Sequence, residues 1–170
     1  MTRRPIVILV AAGIALASAA APARAQYRGP DTAPVRFYAD LGYVNLFDYP
    51  KWLTLGPEVE FRLGRVFSVN PEVMLWIRES RGSNLEVVPG ATLNVRLNRI
   101  TIGAGGILKV DDWAEMASGA IVPKVQFGYL AGPTRLGVSL YYLNVMDQVV
   151  VAFSFGLRIG GGPRRGPDEE

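Results

Sequence analysis

Apolar and polar side chains alternate along most of this chain in segments of roughly ten residues, the length a tilted strand needs to cross a bilayer. From Leu53 to Leu63 one parity reads Leu53, Leu55, Pro57, Val59, Phe61, Leu63 and the other Thr54, Gly56, Glu58, Glu60, Arg62. A period of two with one greasy face and one charged face is a strand. The pattern recurs from Val35 to Phe47, Val66 to Ile77, Leu85 to Leu97, Ile100 to Val110, Ile121 to Leu130, Arg135 to Leu143 and Gln148 to Ile159.

The connections sort into two kinds. Tight ones fall at Gly64-Arg65, Asn98-Arg99 and Ala131 to Thr134, and longer ones at Asp48, Arg78, Asp111 and Asn144. Eight strands, each next to its neighbour in sequence, make an up-and-down meander, and an even number returns the chain to the side where it began. All the tight turns then share that side, which is periplasmic in a bacterial outer-membrane barrel. Closing the sheet removes the unpaired edge, the condition for any sheet to sit in lipid.

Alternation alone does not say which face is outside, because a soluble lipocalin-like barrel shows the same period with its apolar face inward. Composition of the two parities decides. The polar parity is rich in glycine, at 56, 90, 103, 105, 128, 137 and 156, and its charges occur singly and with both signs, as suits a narrow lumen. The apolar parity is nearly free of charge and carries Phe61, Phe67, Tyr129 and Tyr142 near strand ends, where interfacial aromatic girdles belong. We therefore read the fold as an all-β, eight-stranded antiparallel transmembrane barrel with its apolar face to lipid. Pro57, Pro71, Pro89 and Pro123 cut against this, since each should mark a bulge or a late strand start and so shorten the span.

The polar parity places Asp40, Glu58, Glu60, Arg62 and Glu72 on the first three strands and Arg96, Lys109, Lys124 and Arg158 on later ones. Across an interior only wide enough for side chains to fill, acids of one wall meet bases of the other. The expected result is a static, paired plug; the alternative is a charged pore or gated ion pair. Trp52 and Trp113 are expected as interface anchors.

The N-terminus reads as a secretory signal peptide over residues 1–25. Arg3 and Arg4 precede an apolar stretch that ends at Ala23-Arg24-Ala25. Its removal takes three arginines and no acid, leaving 15 bases against 15 acids, so the mature chain lacks the electrostatic footprint of a nucleic-acid binder. Residues 26–34 form a flexible lead-in, residues 35–159 the barrel, and residues 160–170 a flexible charged periplasmic tail.

Cysteine and histidine are both absent. That removes disulfides, thiolate metal sites and thiol nucleophiles, together with the imidazole most hydrolytic sites use near neutral pH. Glu58 and Glu60, as a glycosidase-like pair, are more simply lumen lining. Asp111, Asp112 and Glu115 are too few in oxygen ligands and wrongly ordered for a Ca²⁺ loop. No catalytic, cofactor or metal residues are assigned.

Signal peptide, strand count, turn alternation and face pattern together resemble the small eight-stranded outer-membrane barrel family, which includes the transmembrane domain of outer membrane protein A and outer membrane protein X. The resemblance covers Val35 to Ile159 and is architectural. It implies a monomer in outer-membrane lipid, delivered by the barrel assembly machinery, with no enzymatic activity. Barrel enzymes of similar architecture rely on a catalytic His, which this chain lacks. The chain also departs from the family: its last strand ends at Leu157-Arg158-Ile159 without a terminal aromatic, and its outer loops are short. The resulting expectation is a structural or envelope-maintenance role, with a periplasmic carrier of a hydrophobic ligand and a small porin-like channel as the alternatives.

Overall fold

The computed structural model describes residues 33–46, 50–79 and 84–159. The segments expected to be a signal peptide and a tail, and most of the expected lead-in, lie outside the described residues. Eight antiparallel strands close on themselves in sequence order: β1 (Val35–Val44), β2 (Trp52–Leu63), β3 (Phe67–Arg78), β4 (Leu85–Leu97), β5 (Ile100–Leu108), β6 (Ile121–Ala131), β7 (Thr134–Leu143) and β8 (Gln148–Arg158). The last strand returns to the first through pairs running from Tyr38 with Arg158 to Val44 with Ala152.

The register gives the strand tilt. Partners traced from Val35 through Phe61, Val69, Leu93, Ala104, Val125, Leu140 and Val151 come back to β1 at Asn45, whose N–H donates to the Val151 carbonyl. The chain thus closes ten residues further along, from 35 to 45, a stagger that tilts the strands by roughly 40°, within the range closed barrels require. At that tilt the longest strand, β4, spans roughly 30 Å of barrel height, matching a bilayer's hydrocarbon core.

Every strand residue on the traced path, from Val35 to Val151, is apolar, and the faces divide as the alternation indicates. Phe37, Leu55, Val73, Leu93, Ile102, Phe127 and Phe153 are exposed on the outside, whereas Arg36, Asp40, Glu58, Glu60, Glu72 and Lys124 are buried within. Phe61, Phe67 and Tyr129 stand outward near the turn end and Tyr142 outward near the loop end. A lipocalin-like arrangement, with an apolar cavity for a hydrophobic ligand, is the reverse of this distribution.

Turn geometry explains the strand ends. Gly64, Asn98 and Gly132 take positive φ at the start of the three tight turns, a conformation that Gly adopts freely and Asn tolerates. The first of these turns uses Gly64, Arg65 and Val66, one residue more than the two-residue turn the sequence suggests, so β3 begins at Phe67. At the other end, Asn45 turns left-handed and stops β1 at Val44, short of Phe47, which lies outside the described residues.

The prolines neither bulge nor shorten the strands. Pro71 pairs with Ala91, Pro89 with Val73 and Pro123 with Gly106 in unbroken register. Across β2 and β3 the pairs Leu55–Leu75 and Phe61–Val69 share one register, so no residue is inserted at Pro57. Each antiparallel residue directs its N–H to one neighbour only, so proline deletes a single ladder bond and leaves the strand otherwise paired. Inward glycines allow the tight curvature: a Cβ on Gly105 would lie 2.0 Å from the Ala91 carbonyl oxygen, far inside contact distance.

Candidate functional site

The lumen divides into a charged middle, a polar wall and an aromatic plug. In the middle, Glu58 of β2 and Glu72 of β3 stand directly opposite each other, with Asp40 on the neighbouring strand β1. Like charges so placed repel, so this wall needs cations reaching across the barrel. Arg135 of β7 supplies two bonds to Glu58, Nη1 to Oε1 at 2.5 Å and Nη2 to Oε2 at 2.6 Å. Its Nη2 also donates to both Asp40 oxygens, at 3.1 and 3.2 Å.

Lys124 of β6 donates to Glu72 at 2.5 Å, and Asn70 adds a 2.6 Å bond to Glu58 while accepting from Ser68 at 2.7 Å. The Arg135 guanidinium lies 4.8 Å from the Tyr38 ring centroid, so its face as well as its fork is occupied. Glu58 thus accepts three bonds, two at Oε1 and one at Oε2, the kind of satisfaction that makes a buried charge tolerable.

Toward the turn end, Glu60 accepts from Arg36 at 3.1 and 3.2 Å and from the Tyr38 hydroxyl at 3.1 Å. Around the barrel, Gln126 donates to Thr92 at 3.0 Å and to Asn94 at 2.7 Å, and Asn94 donates to Thr92 at 3.0 Å. This neutral patch seals a wall on which no acid faces inward at mid-height among the described residues.

The loop end is closed by rings. Trp113 arrives on a short 3₁₀ turn (Asp111–Trp113) between β5 and β6, and its ring centroid lies 5.6 Å from Trp52, 5.3 Å from Trp76 and 5.6 Å from Tyr141. Trp76 and Trp113 meet edge to face at 90°, a favoured aromatic geometry. Val44, Val110, Val122 and Leu143 complete a dry cluster around them. Trp52 and Trp113 are therefore core, not interface anchors: Trp52 projects on the inward parity, and the loop folds back into the mouth.

Of the charged residues expected in the lumen, Asp40, Glu58, Glu60, Glu72 and Lys124 meet in these contacts. Arg62, Arg96 and Arg158 are half-buried on the inward parity at the turn end, where Arg96 donates from Nε to the Asn98 carbonyl at 3.1 Å. Lys109 does not join them. It lies just past the end of β5 and caps the Ala114 and Ala117 carbonyls at 3.3 and 3.0 Å, holding the plug loop. Asp112 of the acidic loop is drawn to Arg78 at 2.8 Å.

Two residues central to the site escaped the sequence reading, Arg135 and Arg36. Each had a signal, since Arg135 shares the parity of Gly137 and Arg36 that of Tyr38. Between plug and ion pairs, a cavity of about 40 Å³ is lined by Asp40, Glu72, Lys124, Gln126, Ser139 and Tyr141 among others. That is room for about three water molecules with polar partners on several sides.

No family model and no curated protein matches this chain. A solved structure does. The solution NMR structure of the de novo designed protein TMB2.3, a transmembrane barrel design, superposes with a TM-score of 0.50 at 12% identity, over 76% of this chain and 98% of that one. At that identity the likeness concerns the fold, a closed eight-stranded antiparallel barrel, and not the lumen. The ion-pair bridge and the tryptophan plug are features of this chain's own residues.

Proposed function

We propose that this chain is a non-enzymatic integral outer-membrane barrel with a filled lumen, exported by its signal peptide and serving as a monomeric structural or envelope-maintenance element. The observation that carries this is the inverted distribution of side chains: charges inside, exposed leucines, valines and phenylalanines outside, over a belt of roughly 30 Å. In water such an exterior would be one continuous sticky patch. In lipid it is the low-energy surface.

The outer membrane is favoured because closed barrels preceded by a cleavable signal belong there, and because strand number and short turns resemble outer membrane protein A and outer membrane protein X. The test is electrophoretic and biochemical. A spanning barrel stays in the membrane pellet after carbonate washing, and the unboiled protein migrates faster than the boiled one. Release into the wash, or equal mobility of the two forms, overturns the proposal.

A second reading, a small channel, is favoured by the internal cavity. Against it stand the Arg135 bridge and the Trp113 plug, two successive barriers. Planar bilayers containing the purified protein are expected to show no defined conductance steps. Reproducible steps would move the assignment to a channel.

A further inference from the structure

Strand register assigns each proline's missing bond to a particular seam. In β2 and β3 the even residues direct their N–H groups away from the seam between the two strands, as Arg62 does toward Pro34 and Arg78 toward Asn84, so the odd residues direct theirs into it. Pro57 and Pro71 are both odd. In the register set by Leu55–Leu75, Glu58–Glu72 and Phe61–Val69, Pro57 stands opposite Val73 and Pro71 opposite Val59. Neither proline has an N–H, so two successive ladder bonds, to the Val73 and Val59 carbonyls, are missing from one seam at mid-height. Pro89 and Pro123 delete theirs toward β5 and β7, each just beyond the end of its ladder, where the loss matters less.

The same seam has a second weakness. Pairing lapses at Gly56, Pro57, Val59 and Glu60, and the pair that persists among them is Glu58–Glu72, two carboxylates directly opposite each other. Like charges so placed push strands apart. What opposes them comes from across the lumen: Arg135 on Glu58 and Lys124 on Glu72, with Asn70 stitching β3 to Glu58. A carbonyl left without a donor is costly in hydrocarbon, so this seam gains less from closing than its neighbours do. Behind it lies the internal cavity, whose wall includes Thr54 and Glu58 of β2 and Glu72 and Met74 of β3.

We propose that the β2–β3 seam is a lateral opening between this cavity and the surrounding bilayer, kept shut by the cross-lumen cations Arg135 and Lys124. The lability of the seam rests on register and charge. That it opens onto lipid rests on the membrane reading above, which gel mobility tests separately.

Strand β3 contains its own control, because alternate amides report different seams. In the full barrel folded in micelles, the amides of Val69, Val73 and Leu75, which face β2, are expected to exchange with solvent deuterium about tenfold or more faster than those of Asn70, Glu72 and Met74, which face β4. Pro71→Val returns a donor and should bring the two sets together; Pro57→Val serves where that variant does not fold. Arg135→Met, or Lys124→Met in its place, should speed the β2-facing set more than the β4-facing set.

Opening onto lipid is read with Thr54→Cys, a lone thiol in the cavity of a chain without native cysteine. In vesicles an apolar maleimide carried by the bilayer should label it, and adding Pro57→Val and Pro71→Val should slow the labelling about tenfold. Ser139→Cys lines the same cavity and carries the test if Thr54→Cys does not fold. Folding of each variant is checked by its unboiled mobility. Equal exchange of the two amide sets, a difference that restoring the donor leaves unchanged, or labelling indifferent to the prolines overturns the proposal.

Discussion

Arg135 is the residue on which the lumen's electrostatics turn, because among the described residues it alone bonds both Asp40 and Glu58. Replacing it with methionine keeps the side chain's length and apolar stem but strands two buried carboxylates. Removing one partner of a buried ion pair costs about 3–5 kcal/mol. Arg135→Met is therefore expected to lower the urea midpoint of the folded barrel in micelles by that equivalent, and adding Glu58→Gln should restore part of it. Equal midpoints for wild type and Arg135→Met would show that the bridge contributes little. The acid wall was legible because Asp40, Glu58, Glu60 and Glu72 sit inside long runs of alternation. Arg135 was not, because it stands two residues after the Gly132-Pro133 turn, where the period has barely begun. Lys109 failed for the opposite reason: its parity was extended past the point where the chain leaves the sheet.

At the scale of elements, the strands follow the alternation almost residue for residue, and the plug loop does not. Period-two patterning encodes which face a strand residue takes, but a connection has no period, so nothing local announces that Trp113 folds back into the mouth. The available hint was non-local: Trp76 and Trp52 both fall on the inward parity at strand ends on the loop side, and two such rings in a narrow mouth invite a third. Lys109, the Arg78–Asp112 pair and the bonds between Ser118 and Asn144 at 2.6 and 2.9 Å hold the loop in place. Trp113→Ala removes the ring that touches Trp52, Trp76 and Tyr141, and large-to-small core changes of this kind cost about 3–5 kcal/mol. Stability should fall accordingly in the same urea assay. Conductance should stay absent, because the Arg135 bridge lies beneath the plug. If Trp113→Ala alone gives open-channel steps, the bridge is not a barrier.

For the whole molecule, the deciding quantity is what solvates the outer face. Leu93 lies toward the middle of β4 and Leu97 at its turn-side end, both outward and 54% and 55% exposed. With equal exposure, water would treat arginine at either position alike, and both substitutions would be near neutral or raise solubility. Hydrocarbon would not. An arginine at the bilayer midplane of a barrel costs about 2–4 kcal/mol, falling to about 0–1 near the interface where the side chain snorkels. Reversible folding into lipid vesicles, followed by tryptophan fluorescence, should therefore show Leu93→Arg destabilised far more than Leu97→Arg. Trp52, Trp76 and Trp113 lie together in the plug and report on closure of the mouth rather than on insertion, so the readout follows assembly of the whole cylinder. Indistinguishable costs at the two depths would mean that the apolar belt does not meet lipid, and the membrane assignment would fall with it.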